Sequence, residues 1–244
     1  MAKKRYNVSL FLFIEPESMQ IIKPLVLASK SPRRISLFNQ IGLHPQVIPS
    51  HVPEDCDPKL SPAENAKLLA LKKAKEVGEK CEDGIIVAAD TIVVLDARLL
   101  NEATCGLVES RRPDGKGIFL GKPVDEADAK RMLRMLSGQT HTVTTGFALL
   151  DCASGVSVTD SESTLVTFRE LPDSEIEEYV AGGSPMDKAG AYGIQDDYGA
   201  VFVTRIEGCF YNVVGFPLSK FYTTLQQFQN RLMERKGLSY VEEN

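Results

Sequence analysis

The sequence predicts an α/β fold with a mixed β-sheet and flanking helices, and three stretches carry this prediction. An apolar strand at 25–28 runs directly into a helix at 32–41, which is the order of elements in a parallel α/β unit. The continuous apolar stretch at 85–95 indicates a central strand that is buried on both faces. Residues 141–150 and 156–168 are predicted to form two long antiparallel strands joined by a turn, so the sheet must be mixed.

Composition and charge narrow the class of protein. A chain of 244 residues accommodates one large α/β domain or two small ones. Its net charge of −5, without a broad basic region, argues against a nucleic-acid partner. The five cysteines are far apart and include no Cys-x-x-Cys pair, which disfavours structural zinc and indicates a reducing compartment. No apolar run approaches the length of a membrane span, so we expect a cytoplasmic protein without a membrane partner.

The first strand and helix meet at a turn that suits an anion. Ser31 is the predicted N-cap of the helix, and Pro32 occupies its first position, where the missing N–H of proline costs nothing. Free backbone N–H groups and the helix dipole favour an anion there, and Arg33 and Arg34 add guanidinium groups that match phosphate oxygens. We therefore hypothesise a phosphate-binding turn. An ordinary strand and helix with solvated arginines explains these residues equally well.

A second helix places a lysine beside an apolar face. After a short strand at 47–48, a capping box at 61–64 starts a helix that is predicted to reach residue 81. Lys73 lies four residues from an apolar residue on either side, on or beside the buried face of this helix. Its side chain either reaches solvent along its alkyl stem or carries a cation into a pocket, and the position alone favours solvent.

An aspartate interrupts the central strand. Asp90 lies in the middle of the apolar stretch 85–95, where a carboxylate has to be paired, hydrogen-bonded, bound to a metal or placed beside a cleft. A bulge or a structural ion pair would explain it, but ionisable groups inside core strands are costly and cluster at functional sites. Its type and position therefore favour a functional role.

The remaining elements follow from turn residues and periodicity. Residues 96–119 are polar and rich in turn formers, which predicts a long loop or an extended hairpin. Lys122 is held on a turn between glycine and proline. The glycine-rich stretch 187–195 is most simply a loop, although glycine allows a backbone to approach a ligand closely. Helices are predicted after the cap Asp125, at 173–181 and at 218–236, with a strand at 200–206.

The unusual polar residues fall into two charge classes. Four cations stand near strand ends, helix starts or turns: Arg33, Arg34, Lys73 and Lys122. Two carboxylates, Glu54 and Asp90, are suited to a divalent metal. A nucleoside triphosphate needs this combination, because the metal neutralises phosphate charge and activates water while a carboxylate accepts the proton of that water. The chain has no Gly-x-x-x-x-Gly-Lys-Ser/Thr motif, so it is not a P-loop enzyme.

Five stretches together carry a resemblance to a known family. They are Leu27-Ala28-Ser29-Lys30-Ser31-Pro32-Arg33-Arg34, Ala89-Asp90-Thr91-Ile92-Val93, Gly121-Lys122-Pro123, Leu136-Ser137-Gly138-Gln139-Thr140-His141, and Asp187 to Gln195. In sequence and order they closely resemble the Maf family of nucleotide pyrophosphatases, whose fold is related to that of inosine-triphosphate pyrophosphatase. The resemblance covers residues 24–229 and leaves out an N-terminal extension at 1–23 and the long loop at 96–119. We expect one domain at 24–236 and a C-terminal tail at 237–244.

The resemblance implies an enzyme with two lobes around a deep cleft, often a homodimer. Water would attack the α-phosphate of a nucleoside triphosphate with the help of Mg²⁺ or Mn²⁺, giving the monophosphate and pyrophosphate. By motif position, Asp90 would be the general base or a metal ligand, and Glu54 would help to hold the metal. The triphosphate would be held by Ser29, Arg33, Arg34, Lys73 and Lys122, of which the two lysines complete the catalytic set. The nucleotide would be recognised with the help of Arg33, Thr91 and Gln195.

The form of two motifs narrows the implied substrate. Residues 90–92 and 187–195 resemble the subfamily that acts on dTTP and UTP, including modified uridine or cytidine nucleotides. The subfamily that acts on 7-methyl-GTP usually has glutamine after the aspartate. Removal of non-standard nucleotides from the pool is the implied role. The alternative is a non-catalytic nucleotide-binding regulator of cell division, which is disfavoured because every position with a chemical role is filled.

Overall fold

The computed structural model describes residues 21–96, 117–195 and 197–235, and these contain seven β-strands and six α-helices. The elements are, in chain order, β1 (Leu25–Leu27), α1 (Pro32–Gln40), β2 (Gln46–Val47), α2 (Pro62–Gly78), β3 (Ile85–Asp96), β4 (Gly117–Leu120), α3 (Glu126–Leu136), β5 (Thr140–Asp151), β6 (Ser157–Phe168), α4 (Asp173–Ala181), β7 (Val203–Glu207), α5 (Phe210–Val214) and α6 (Leu218–Arg235). Among these residues, no helix has both the length and the apolar character that a membrane crossing requires.

The sheet is mixed, as predicted, and its central strand has an incomplete edge. The strand order is β2-β1-β3-β5-β6-β7, with β1 parallel to β2 and β3 and the later neighbours antiparallel. β5 pairs with β3 along residues 85–95 and occupies one edge of that strand. The opposite edge carries β1 at residues 85–87 and β4 at residues 93–96. Among the described strands, none covers residues 88–92 on that side, so a gap lies beside the middle of β3.

Helices cover both faces of the sheet. The larger apolar cluster includes Phe38 of α1, Phe147 of β5 and Phe221 of α6, which pack ring against ring. A smaller cluster on the other face joins α2 to the sheet, with Ala70 and Ala74 among its members. Small residues on α2 bring this helix near the strands, because side-chain volume sets the distance between packed elements.

α2 lies very close to the sheet at Gly146. A β-carbon at this position would stand 2.4 Å from backbone atoms of Ala66 and Lys67, nearer than non-bonded atoms come to each other. Gly146 is also the partner of Asp90 across the β3–β5 pair. The missing side chain therefore lets α2 pack directly over Asp90, and this places Lys73, on the same helix, above the middle of β3.

Two predicted features near helices differ from the structure. Ser31 precedes α1 as predicted, but its side chain makes no capping hydrogen bond, and the Ser29 hydroxyl instead accepts the Ser31 N–H at 3.1 Å. The strand predicted at 200–206 begins only at Val203, because residues 197–202 form a 3₁₀ helix.

The stretch 96–119, predicted as a long loop or an extended hairpin, contributes its two ends to paired strands. Asp96 ends β3, and residues 117–119 belong to β4, which pairs antiparallel with the end of β3. This antiparallel pairing at the two ends of the stretch is the arrangement that the hairpin alternative describes. Residues 97–116, which hold most of the predicted loop, lie outside the described residues.

Residues at the predicted end of the N-terminal extension pack against the domain. Ile21 contacts the larger apolar cluster, and the Ile22 N–H donates to Gln229 Oε1 at 2.9 Å. Lys23 is 8% exposed and its ammonium donates to Asp151 Oδ1 at 2.5 Å. These residues are thus part of the folded domain, and residues 1–20 lie outside the described part of the chain.

Replacing Asp151 by asparagine tests how much this buried ion pair stabilises the fold. Burial opposes the Asp151 charge, but Lys23 and Ser154 donate to it and lower its pKa below the ordinary value. A lowered pKa stabilises the fold above about pH 4, and this stabilisation is lost as the pH falls through the folded-state pKa. We expect the variant to lose about 1–3 kcal/mol of unfolding free energy at pH 7 in urea titrations.

The same variant should depend less on pH than the wild type in the acid range, because it lacks this titrating group. Asp83→Asn is the matched control, since Asp83 also pairs with Lys23, at 2.7 Å, but is 61% exposed. Exposed pairs contribute about 0–1 kcal/mol. Equal losses in the two variants would contradict the special weight given to the buried partner.

Candidate active site

A cavity of about 450 Å³ lies beside the gap in the β3 edge, within the size range of small-molecule sites. Its wall combines the β1–α1 turn, the middle of β3, α2, the turn after β4 and two segments near 187–195 and 213–215. All nine residues that the sequence predicts to act at a site line this cavity: Ser29, Arg33, Arg34, Glu54, Lys73, Asp90, Thr91, Lys122 and Gln195. The fold thus brings together segments that are far apart in the chain.

Alternating charges run along one wall of the cavity. The Lys73 ammonium donates hydrogen bonds to Asp90 Oδ1 and Glu54 Oε1, each at 2.6 Å. Lys122 Nζ donates to the second Glu54 oxygen at 2.7 Å. The Lys73 side chain is only 7% exposed, so it does not reach solvent, and the interpretation favoured by its position alone is wrong. The two carboxylates supply the counter-charge that a buried ammonium requires.

Burial and the neighbouring cations oppose each other at the two carboxylates. Burial raises the pKa of Asp90 above its ordinary value, and the adjacent Lys73 offsets this effect only in part. Burial also opposes ionisation of Glu54, but Lys73 and Lys122 together lower its pKa to about 2. Glu54 is therefore a fixed anion at neutral pH, whereas Asp90 is more basic than an aspartate in water.

The same two carboxylates are the residues of this cavity that could hold a divalent metal. Because Glu54 and Asp90 each contact the Lys73 ammonium, their oxygens lie close enough to share a cation. Within the described part of the chain, no group of three or more His, Cys, Asp or Glu side chains is arranged to hold a metal. Mg²⁺ prefers a ligand set of this kind, in which two carboxylates bind the metal and water and phosphate oxygens fill the remaining coordination positions.

The guanidinium of Arg34 is bound to protein atoms on three sides. Its Nε donates to Gly215 O at 2.9 Å, Nη1 to Ala89 O at 2.9 Å and Nη2 to Thr91 Oγ1 at 3.0 Å. The Ala89 carbonyl lies in the gap of the β3 edge, so Arg34 supplies a donor where a neighbouring strand is missing. Most of its hydrogen-bonding capacity is therefore committed to the cavity wall. Its predicted contact with phosphate stays a prediction.

Arg33 joins α1 to the glycine-rich segment across the cavity. Its Nη1 lies 2.7 Å from Asp187 Oδ2, and the other Asp187 carboxylate oxygen accepts from Lys188 Nζ at 2.8 Å. Sequence reasoning did not single out Asp187 or the buried Lys188 as site residues. The available signal was their position at the polar start of the stretch 187–195, and nothing local indicated a partner 154 residues away.

The middle of the glycine-rich segment, at residues 189–193, contributes an apolar part of the cavity wall and includes a short 3₁₀ turn. Gly190 has a φ of 73°, and its N–H donates to Gly121 O at 3.0 Å, beside Lys122. Tyr192 lines the cavity, and its hydroxyl lies 2.8 Å from Nε2 of the buried His141. Val93, Val143, Val213 and Val214 complete this end. The cavity therefore has a charged end and an apolar end.

Comparison with known proteins identifies the family. The family model described as "Maf-like protein" matches residues 24–228. The chain belongs to the Maf family. This match includes every cavity segment described above, and the resemblance found from the five motifs is confirmed.

Similar Maf relatives carry one printed name. A protein of Caldicellulosiruptor saccharolyticus, named dTTP/UTP pyrophosphatase, is 42% identical over 217 residues, which cover 87% of this chain and 98% of the relative. A protein of Koribacter versatilis with the same name is 42% identical over 214 residues, covering 88% and 95%. A third, from Bacillus cereus, is 42% identical over 207 residues, covering 85% and 91%.

Replacing Lys73 by methionine tests the chain of charges in this Maf cavity. The change removes the cation between the two carboxylates and keeps much of the side-chain volume. We expect the pKa of Glu54 to rise from about 2 toward its ordinary value, because Lys73 is the strongest influence that lowers it. The pKa of Asp90 should rise further, since burial then acts without its nearest counter-charge. NMR titration of the side-chain carboxyl carbons measures both values.

Lys72→Met is the matched control, because Lys72 is the exposed neighbour on the same helix. It should leave the pKa values of Glu54 and Asp90 unchanged. A Glu54 pKa that stays at about 2 in Lys73→Met would show that Lys122 alone holds the charge, contrary to the geometry.

Proposed function

We propose that the chain hydrolyses nucleoside triphosphates to the monophosphate and pyrophosphate, with dTTP, UTP and modified pyrimidine nucleotides as favoured substrates. The observation that carries the proposal is the contact of the buried Lys73 with Asp90 and Glu54 inside a cavity that is also lined by Arg33 and Lys122. The printed names of the Maf relatives support the choice of substrate. Removal of non-standard nucleotides from the pool is the proposed role.

The accessible cations would bind the triphosphate. Lys122 is 53% exposed and Arg33 is 20% exposed, so both can exchange a protein carboxylate for phosphate oxygens. Ser29 adds a hydroxyl at the start of the β1–α1 turn, where the N-terminus of α1 favours an anion. The apolar end of the cavity would then hold the base, with Gln195 beside it.

In this proposal Asp90 would hold the attacking water and accept its proton. Lys73 binds Asp90 through Oδ1, which fixes the orientation of the carboxylate and leaves Oδ2 for a water molecule. A carboxylate with a raised pKa is a stronger base, and this favours proton transfer near neutral pH. Glu54 and Asp90 would hold Mg²⁺ or Mn²⁺, which when bound neutralises phosphate charge and lowers the pKa of water.

The proposal extends to the cellular setting of the enzyme. We propose a cytoplasmic homodimer, following the family resemblance. Size-exclusion chromatography with light scattering would test the dimer, and a mass of one chain at micromolar concentration would contradict it.

A substrate panel tests the reaction itself. Purified protein with Mg²⁺ and each common nucleoside triphosphate should release pyrophosphate from dTTP and UTP, and EDTA should abolish the release. Release of orthophosphate instead would indicate a phosphatase. Binding without turnover across the panel would support the alternative, a nucleotide-binding regulator of cell division.

Replacing Asp90 by asparagine should lower kcat on dTTP by about 10²–10⁴-fold, the usual contribution of a general base. The amide is similar in shape, so thermal unfolding should show a folded variant. Asp55→Asn is the control, because Asp55 is an exposed neighbour of Glu54 that does not line the cavity. Full activity of Asp90→Asn would remove this residue from the mechanism.

A further inference from the structure

The sheet ends at β7, and the outer edge of this strand is open among the described elements. β7 is last in the strand order, and no described strand pairs with the edge that faces away from β6. The five residues of β7 include no proline and no lysine, which commonly block such an edge. The strand at the other end of the sheet, β2, has only two residues and directly follows Pro45. β7 is therefore the end of the sheet that is suited to accept a further strand.

The backbone groups that point to the open edge belong to Ile206. In an antiparallel pair, successive residues point their N–H and C=O groups alternately to the two sides of the strand. The Phe168 N–H donates to Gln139 O, just before β5, so Thr167 points its groups the other way, to β7. Its register partner Arg205 points back to β6. Ile206, the next residue, therefore points its N–H and C=O away from the sheet.

Two copies of β7 can pair about a twofold axis only in certain registers. The axis makes each cross-strand pair equivalent to its mate, whereas hydrogen-bonded and non-hydrogen-bonded pairs alternate along the strands. One residue must therefore lie opposite its own copy at the axis. With Ile206 on the axis, its outward N–H and C=O meet the same groups of the second copy, and two hydrogen bonds form.

The charged side chains of β7 fit the register about Ile206. Arg205 and Glu207 are both exposed, and Arg205 Nε lies 3.1 Å from Glu207 Oε1. With Ile206 on the axis, Arg205 of each copy lies opposite Glu207 of the other copy. With Arg205 on the axis arginine would face arginine, and with Glu207 on the axis glutamate would face glutamate. Like charges directly opposite destabilise a strand pair, so these two neighbouring registers are disfavoured.

Exposed apolar side chains surround the same edge. Val201 is 53% exposed two residues before β7, and Phe210 is 43% exposed three residues after it. In an antiparallel pair the start of one strand lies beside the end of the other, so Val201 of one copy would approach Phe210 of the other. Leu165, the register partner of Glu207 on β6, is also exposed. A patch of large exposed apolar residues is typical of an interaction surface.

We propose that the open edge of β7 binds β7 of a second copy of this chain, with Ile206 on the twofold axis, so that one β-sheet runs through both subunits. The occupant is a second copy because this edge is complementary to itself, both in charge and in the placement of its apolar residues. The inference rests on the homodimer of the proposed function and assigns its contact surface. This surface is separate from the cavity, which neither Arg205 nor Glu207 lines.

Charge reversal tests the register. Arg205→Glu leaves only acidic side chains at the opposed positions, and Glu207→Arg leaves only basic ones, so each variant repels its own copy. We expect the dimer dissociation constant, measured by analytical ultracentrifugation at low salt, to rise about a hundredfold in each variant. An equal mixture of the two variants should dimerise again, because every charge then faces an opposite one. The double variant, Arg205→Glu with Glu207→Arg, should dimerise by itself.

Two further measurements separate this surface from other surfaces of the chain. Arg134→Glu is the matched control, because Arg134 forms an exposed ion pair with Asp173, at 2.7 Å, and lies on α3. It should leave the dissociation constant unchanged. The Ile206 N–H should be protected from hydrogen exchange in the wild-type dimer and should exchange about tenfold faster in Arg205→Glu.

The outcomes distinguish this inference from the proposed function. A wild-type dimer whose Ile206 N–H exchanges freely, or a mixture of the two charge variants that does not dimerise, would overturn the inference and leave the homodimer in place. A wild type with the mass of one chain would overturn both, whether or not another segment protects the Ile206 N–H. Pyrophosphate release from dTTP is measured separately, and its absence would overturn only the hydrolytic function.

Discussion

The burial of Asp90 in the middle of β3 is the constraint on which the rest of the site depends. A lone carboxylate there would be too costly to remain ionised, so a cation has to reach it from α2. Lys73 does so only because Gly146 admits the α2 backbone to the sheet, since a β-carbon would stand 2.4 Å from it. Lys73 is buried in turn and needs the second carboxylate of Glu54. The burial of this one carboxylate therefore determines how closely α2 packs, why residue 146 is a glycine and why Glu54 pairs with Lys73.

The gap in the β3 edge lets a single cavity use both faces of the sheet. Asp90 and Thr91 are neighbours in the chain, but strand geometry turns their side chains to opposite faces. The charged wall with Lys73 lies on one face, and the apolar wall with Val93 lies on the other. With a strand paired along residues 88–92, these two walls would be separated by the sheet. The interrupted edge therefore opens both walls to the same cavity.

Local chemistry predicted the elements and the chemically costly residues, but not their partners. The period of the apolar residues located α2, a continuous apolar run located β3, and the cost of a carboxylate in an apolar strand singled out Asp90. The same reasoning predicted that Lys73 reaches solvent. Periodicity shows on which face of a helix a residue lies, but it does not show which residues of other elements pack against that face. Asp187 and Asn212 were not singled out individually for a related reason: their contacts with Arg33 and Thr145 join segments far apart in the chain.

The two adjacent arginines show why a motif does not by itself assign a role. Both follow the same predicted anion site, yet Arg33 contacts one partly exposed residue, Asp187, whereas Arg34 donates to oxygens of three different residues in the cavity wall. An unpaired backbone carbonyl at a sheet gap is costly, and Arg34 satisfies the one on Ala89. The same guanidinium orients Thr91. Arg34 therefore supplies the hydrogen bond that a neighbouring strand would otherwise donate to Ala89. Because a side chain satisfies this carbonyl, the edge of β3 can remain unpaired beside the cavity.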